Sequence, residues 1–275
     1  MAVNPSETYL ASGSDNPSEI ALFELPTFKP VVVLTGHEDW SFCCSFVGED
    51  RVISGSRDRT VCLWSVARVS SNEGTTLREP LITKVEHQGK VRALVVAHKR
   101  KYFSTLGVEG TIKYWDQERF EVTNTVPVPE TPELVCMALN EDIGLSAVGS
   151  QTLVSFFDEK SGTNTFVQKS INDDWGVRSL TFNNFMLTIG GGDGKLSFFD
   201  MRKMQYVKVE NSQENFVIEM DSGWLERDET YLTNFNNARI PNSVYTHCYD
   251  PSSTKLFIGG GPLILGLKGS YAGIW

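Results

Sequence analysis

The chain has 275 residues, 40% of them hydrophobic, and carries 25 Lys and Arg against 34 Asp and Glu for a formal net charge of −9. That apolar content supports a sizeable core, but no run of about 18 apolar residues is present to cross a membrane, and Met1-Ala2-Val3-Asn4-Pro5 lacks the basic and apolar stretches of a signal peptide. The acidic balance, with no basic tail, argues against a nucleic-acid partner held by phosphate contacts.

Ala2-Val3-Asn4-Pro5-Ser6 reads as the tail of a strand, and Tyr9 to Glu24 as two further strands about a turn. Gly36-His37 and a strand over Ser41–Val47 then lead into Val52 to Trp64, which reads as strand, tight turn and strand ending in Trp. Gly-His near the start and Trp near the end of a unit of about 40 residues is the WD40 pattern. It recurs over Phe103 to Asp116, Leu145 to Asp158, Met186 to Asp200 and Leu256 to Trp275. The terminal aromatics Phe23, Trp64, Trp115, Phe157, Phe199 and Trp275 are spaced by 41, 51, 42, 42 and 76 residues, so insertions fall at 67–82 and 210–242.

The expected fold is therefore all-β, a WD40-type β-propeller in one domain over 1–275, with six repeat units of a seven-bladed parent; a six-bladed ring is the alternative. Blades are expected at about 1–34, 35–83, 84–129, 130–171, 172–209 and 244–275. Residues 210–243 are expected to be a long, mostly irregular insertion with a short helix near Leu225–Tyr231. Both terminal units look incomplete. The last ends on its third strand, so its outer strand is expected to be missing and the chain to be a C-terminal fragment or short isoform.

Two sets of polar residues repeat with the blades and match the structural tetrad of WD40 repeats: His37, Ser54, Asp58 and Trp64, then His87, Thr105, Glu109 and Trp115. Asp58 is expected to accept from His37, and His37 to bridge to Ser54 and Trp64, since buried polar groups must be paired. Recurrence once per blade marks these as scaffold groups, so no catalytic residue and no enzymatic activity is expected. The glycine runs Gly190 to Gly194 and Gly259 to Gly261 lack the Lys-Ser or Lys-Thr of a phosphate loop and read as hairpin turns. Cys43, Cys44, Cys62, Cys136 and Cys248 form no CxxC pair, so neither a disulfide framework nor a metal site is expected, and no cofactor. Free thiols fit a reducing compartment, cytoplasm or nucleus.

A basic cluster stands out on this acidic chain. Lys90 and Arg92 enter one innermost strand, Arg178 aligns with Arg92 through Val91-Arg92-Ala93-Leu94 and Val177-Arg178-Ser179-Leu180, and Arg57 lies at a hairpin turn. These side chains are expected to converge at the mouth of a propeller channel, with Tyr245 or His247 adding a hydrogen-bond donor. Arginine favours planar, paired contacts to carboxylates, so the cluster suits an acidic ligand. The competing reading is scaffold pairing with Asp173, Asp174 or Glu86.

Ala11 to Pro17, Val52 to Trp64, Gly223-Trp224-Leu225, Asn242 to Asp250 and Leu256 to Trp275 together make the chain resemble the C-terminal part of the WD-repeat cullin-4-associated factor 12 family. The resemblance implies a non-catalytic substrate receptor of a cullin-4 ubiquitin ligase. Its implied partners are the adaptor, which is the large subunit of the damage-specific DNA-binding protein, the cullin-4 complex, and proteins ending in two glutamates, with no nucleic acid and no membrane. The family's basic N-terminal region and helical adaptor-binding element would lie upstream of Met1. Many such receptors carry a Trp-Asp-x-Arg box; Phe199-Asp200-Met201-Arg202 is the nearest match here, making Asp200 and Arg202 adaptor-contact candidates. A generic propeller scaffold unrelated to ubiquitin is the alternative function.

Overall fold

Strand-forming runs rich in Val, Ile, Phe and Thr, cut by Gly, Asp and Asn turns, pair mostly with their nearest sequence neighbours, as short turns between antiparallel strands require. The computed structural model describes residues 1–14, 16–67, 75–129, 133–171, 175–221, 223–235, 238, 240–263 and 266–275. The chain divides into two compact units, Met1–Glu130 and Thr131–Trp275. Among the described residues each unit holds three sheets, and the fold is a WD40-type β-propeller with six blades.

In the first unit the first sheet runs Ala2–Val3, Tyr9–Gly13, Ile20–Glu24 and Lys29–Leu34. The second comprises Ser41–Phe46, Arg51–Ser56, Thr60–Ser65 and Ile82–Val85, and the third Val91–Ala97, Tyr102–Gly107, Thr111–Asp116 and Glu121–Pro127. The insertion at 67–82 contributes Thr76–Arg78, which adds a fifth strand parallel to Lys29–Leu34 and covers that edge of the first sheet. Residues 68–74 lie outside the described residues.

In the second unit the fourth sheet comprises Cys136–Asn140, Leu145–Gly149, Leu153–Asp158 and Thr163–Lys169. The fifth starts Val177–Asn183, Met186–Gly191 and Lys195–Asp200; its outer strand is split, because Gln205–Tyr206 and Val217–Glu219 both pair with Lys195–Asp200. The sixth comprises Asn242–Tyr249, Leu256–Pro262 and Gly269–Ile274, and Trp224–Leu225 pairs outside Gly269–Ile274. The fourth strand expected to be missing from the last unit is thus supplied by the preceding loop. Residues 210–243 are correspondingly not a mere insertion, since they complete the edges of two sheets. The helix spans Glu229–Asn234, later than expected, because Asp228 caps it: its carboxylate accepts from the Tyr231 N–H at 2.9 Å.

Burial falls from the middle of each sheet outward. Thr60–Ser65 and Leu153–Asp158 each bury their four central residues, whereas outer Thr163–Lys169 is exposed except at the half-buried Phe166 and Gln168. Sheets covered on both faces need apolar runs rather than alternation. Aromatic side chains fill the space: Phe103 stacks on Trp115 at 5.3 Å between centroids, and Phe156 on Phe166 at 4.1 Å.

At three places a valine of one sheet packs on a glycine of its neighbour. Val91, Val177 and Val244 each begin or nearly begin an innermost strand and are fully buried. Each lies over a glycine of the preceding sheet; a Cβ added at Gly55, Gly149 or Gly190 would stand 2.5, 2.5 or 2.6 Å from the valine Cγ1. Gly149→Ala should therefore destabilise the chain by about 1–3 kcal/mol through overpacking, read by denaturant unfolding. Adding Val177→Ala should restore part of the loss; no recovery would place the strain elsewhere.

Candidate functional site

The hairpin of Arg51–Ser56 and Thr60–Ser65 brings four distant residues into one buried chain of hydrogen bonds. His37 Nε2 lies 2.7 Å from Ser54 Oγ, and Trp64 Nε1–H donates to the same oxygen at 2.8 Å. His37 Nδ1 lies 3.0 Å from Asp58 Oδ2, which also accepts from the Glu38 N–H, while Asp58 Oδ1 accepts from the Thr60 N–H. His37 reaches Trp64 by an edge-to-face ring contact at 5.7 Å rather than by a hydrogen bond. The third sheet repeats the arrangement: His87 Nε2 is 2.7 Å from Thr105 Oγ1, Trp115 Nε1–H donates there at 2.8 Å, and His87 Nδ1 meets Glu109. The longer glutamate still reaches the turn, accepting from the Gly89 N–H.

Both arrangements are built on an ionised carboxylate. Burial opposes the His37 imidazolium, but the bonds to Asp58 and Cys62 outweigh it and raise its pKa to about 9. Burial likewise opposes the Asp58 carboxylate, yet His37 and Thr60 hold it well below the usual carboxylate range; His87 and Thr111 bring Glu109 down to about 2 against the same opposition from burial. Every polar atom of these imidazoles faces a scaffold partner, which leaves no base poised for chemistry.

Two of the basic candidates, Arg92 and Arg178, occupy a second recurring position. Strand register shifts across Ser41/Cys43, Val91/Ala93, Val177/Ser179 and Val244/Thr246. The residues skipped are Phe42, Arg92, Arg178 and Tyr245, each on a β-bulge of an innermost strand. A bulge turns its side chain out of the ladder and re-aims it. Arg92, Arg178 and Tyr245 thus share one structural role; Phe42 holds the same role and was missed, because its apolar side chain hides the alignment with the arginines.

In the first unit Arg92 stacks on the Phe42 ring at 4.2 Å. Lys90 is exposed on the connection into the same strand. Arg57, half-exposed at its turn, lies 3.4 Å from Asp39. In the second unit the Arg178 guanidinium donates to Glu133 at 2.8 Å and to the Trp175 carbonyl at 2.9 and 3.0 Å. Tyr245 is exposed within electrostatic reach of Arg178, and its hydroxyl donates to the Pro262 carbonyl. Among the described residues Asp39 lies beside Arg57 and Glu133 beside Arg178; Asp173 and Asp174 lie outside the described residues.

His247 departs from the expectation of a surface donor. It is buried between the fifth and sixth sheets, with Nδ1 3.0 Å from Ser179 Oγ and Nε2 3.2 Å from the Thr188 carbonyl. Burial pushes its pKa down to about 4, so the ring is neutral there. Its side chain points to the neighbouring sheet because it lies two positions beyond the bulge at Tyr245, where the regular ladder has resumed.

Asp200 and Arg202 form a separate turn. Asp200 is buried, accepts from the Arg202 N–H at 2.9 Å and faces its guanidinium at 3.3 Å, which lowers the carboxyl pKa. The Arg202 side chain is 65% exposed and extends over Phe185 at 5.6 Å.

Residues 1–275 match the family described as the DDB1- and CUL4-associated factor 12 beta propeller. The chain belongs to this family. Among curated proteins, p21-activated protein kinase-interacting protein 1-like of Danio rerio is 23% identical over 231 residues, covering 80% of this chain and 56% of that protein. Pre-mRNA-processing factor 19 homolog 2 of Arabidopsis thaliana is 27% identical over 226 residues, covering 80% of this chain and 41% of that protein. The chain thus spans about half the length of these relatives. Among solved structures, the RRP9 WD40 repeats superpose with a TM-score of 0.73 at 18% identity, covering 99% of this chain and 78% of theirs. U3-55K gives 0.73 at 18%, covering 100% and 79%. At that identity the likeness establishes the fold alone.

The paired ionisation sets a pH window. Because His37 titrates near 9 in the fold against 6.5 ordinarily, its contribution is complete below about pH 6.5 and is lost as the pH rises through about 9. The Asp58 contribution is complete above its ordinary 3.8 and is lost as the pH falls through its lower folded value. Asp58→Asn should cost on the order of 2–4 kcal/mol near neutrality and flatten the alkaline loss of stability. Denaturant titrations across that range read both effects; an unchanged alkaline slope would show that another group titrates there.

Proposed function

We propose that the chain is the substrate-recognition module of a cullin-4 ubiquitin ligase, non-catalytic, reached through the adaptor DDB1, and that it binds target proteins ending in two glutamates. It would act in the cytoplasm and nucleus. Family membership along the whole chain supports the ligase assignment. The observation that carries the ligand reading is the placement of Arg92 and Arg178 on equivalent bulges, each held by neighbours before any ligand arrives. Preorganised guanidinium groups lose little freedom on meeting a carboxylate and match it with paired donors. Lys90, Arg57 and Tyr245 are the further proposed contacts; His247 serves instead to lock the fifth and sixth sheets together.

A peptide ending in Glu-Glu should bind more tightly than the same peptide amidated or ending in Gln-Gln, and its affinity should fall as salt rises. Arg92→Ala and Arg178→Ala should each weaken it roughly tenfold, the loss of a charge-assisted pair. Equal affinity for the three peptides in a calorimetric titration would refute the ligand assignment.

The adaptor reading attaches to the exposed guanidinium of Arg202, fixed by Asp200 at the end of a strand. Arg202→Ala should reduce DDB1 recovered with the chain in a pull-down while leaving the peptide affinity intact. Undiminished recovery would move the adaptor contact to another surface.

A further inference from the structure

We propose that Glu133 is a built-in competitor: it neutralises Arg178 until a ligand carboxylate displaces it, and so sets an affinity threshold that only a terminus with further acidic contacts passes. The inference rests on the carboxylate-binding role proposed for Arg178.

Arg178 is held from two sides of different character. The Trp175 carbonyl accepts from Nε and Nη2, and the Gly176 backbone, with φ +75, lets the loop close on the guanidinium; a Cβ at Gly176 would lie only 3.4 Å from Nη2. That anchor consists of backbone and stays in place whatever binds. Glu133 supplies the second side, 2.8 Å from Nη2, and its side chain is 50% exposed while that of Arg178 is 15% exposed. Glu133 itself has φ 57, in the left-handed region that a glutamate rarely occupies. A residue kept in a disfavoured conformation with its carboxylate on the site arginine points to a role in the site.

Displacing Glu133 by a single carboxylate exchanges one ion pair for an equal one and gains little. A terminus with two acidic side chains and an α-carboxylate brings further contacts, and those tip the exchange. Glu133 therefore sets the same cost for every ligand that displaces it, and only a terminus with further contacts binds well against that cost.

The test compares the chain with its Glu133→Gln variant against two peptides, one ending in Glu-Glu and one ending in Gln-Gln with a free α-carboxylate. The variant should bind both peptides more tightly, by a similar factor of about two- to tenfold. Unchanged or weaker binding overturns the proposal, since Glu133 would then be a positioning residue or a bystander. If neither protein binds either peptide, the terminus-binding reading has failed separately. Acetate titration followed on the Arg178 Nε–H resonance then decides: response at lower acetate in the variant supports displacement of Glu133, and identical curves overturn it.

Discussion

A sheet with two apolar faces cannot stand alone, and the contact between a valine and a glycine sets how closely its neighbour can lie. Val91 on Gly55, Val177 on Gly149 and Val244 on Gly190 are the same contact in three places. A larger side chain at the glycine would push the sheets apart and expose apolar area worth about 25 cal/mol per Å². In each case the valine is immediately followed by the bulged residue, Arg92, Arg178 or Tyr245. The valine pins the strand into the neighbouring sheet while the next residue slips out of register. Packing and side-chain direction are therefore coupled: the contact that stabilises each pair of sheets also aims the adjacent bulged residue.

Polar groups inside the sheets follow the charge of their neighbours. His37 has a carboxylate beside it and holds a proton to about pH 9, whereas His247 has a hydroxyl and a carbonyl and loses it near 4. The first ties a turn to its own sheet. The second ties two sheets together through Ser179, with the Tyr249 hydroxyl meeting Thr188 alongside. The fifth and sixth sheets thus use a neutral network spanning the two, where the second and third each use one centred on a carboxylate. Buried neutral bonds avoid the desolvation cost of an ion pair, and a network spanning two sheets restrains their relative slip.

The repeat was legible because its marks are local: Gly-His, a tight turn with Asp, and a terminal Trp at a nearly constant interval. The two hydrogen-bonded tetrads were legible for the same reason. Edge strands were not. Thr76–Arg78 and Trp224–Leu225 are three and two residues long, too short for any alternation to show, and their partners are distant in sequence. Arg92 and Arg178 could be aligned from flanking Val and Leu, but Phe42 breaks the chemistry of that position and Glu133, just before Cys136–Asn140, matches none of the marks of the repeat. His247 was misplaced because a one-residue bulge reverses the facing of the strand residues beyond it, and only backbone register reveals it.

Exposed cations at set positions of an acidic chain need support, and the structure provides it differently at each position. Arg57 has Asp39, Arg178 has Glu133, and Arg92 lies on Phe42. Partly exposed ion pairs contribute only about 0–1 kcal/mol, so they hold an arginine in place while remaining cheap to exchange. Stacking on Phe42 engages the face of the guanidinium, whereas a carboxylate engages its edge; the ring contact can therefore persist when a ligand arrives. Under the proposed ligand reading, the stacking contact of Arg92 is retained and the ion pairs of Arg57 and Arg178 are exchanged. The preference of such a site then depends on how many carboxylates a ligand brings against those it must displace.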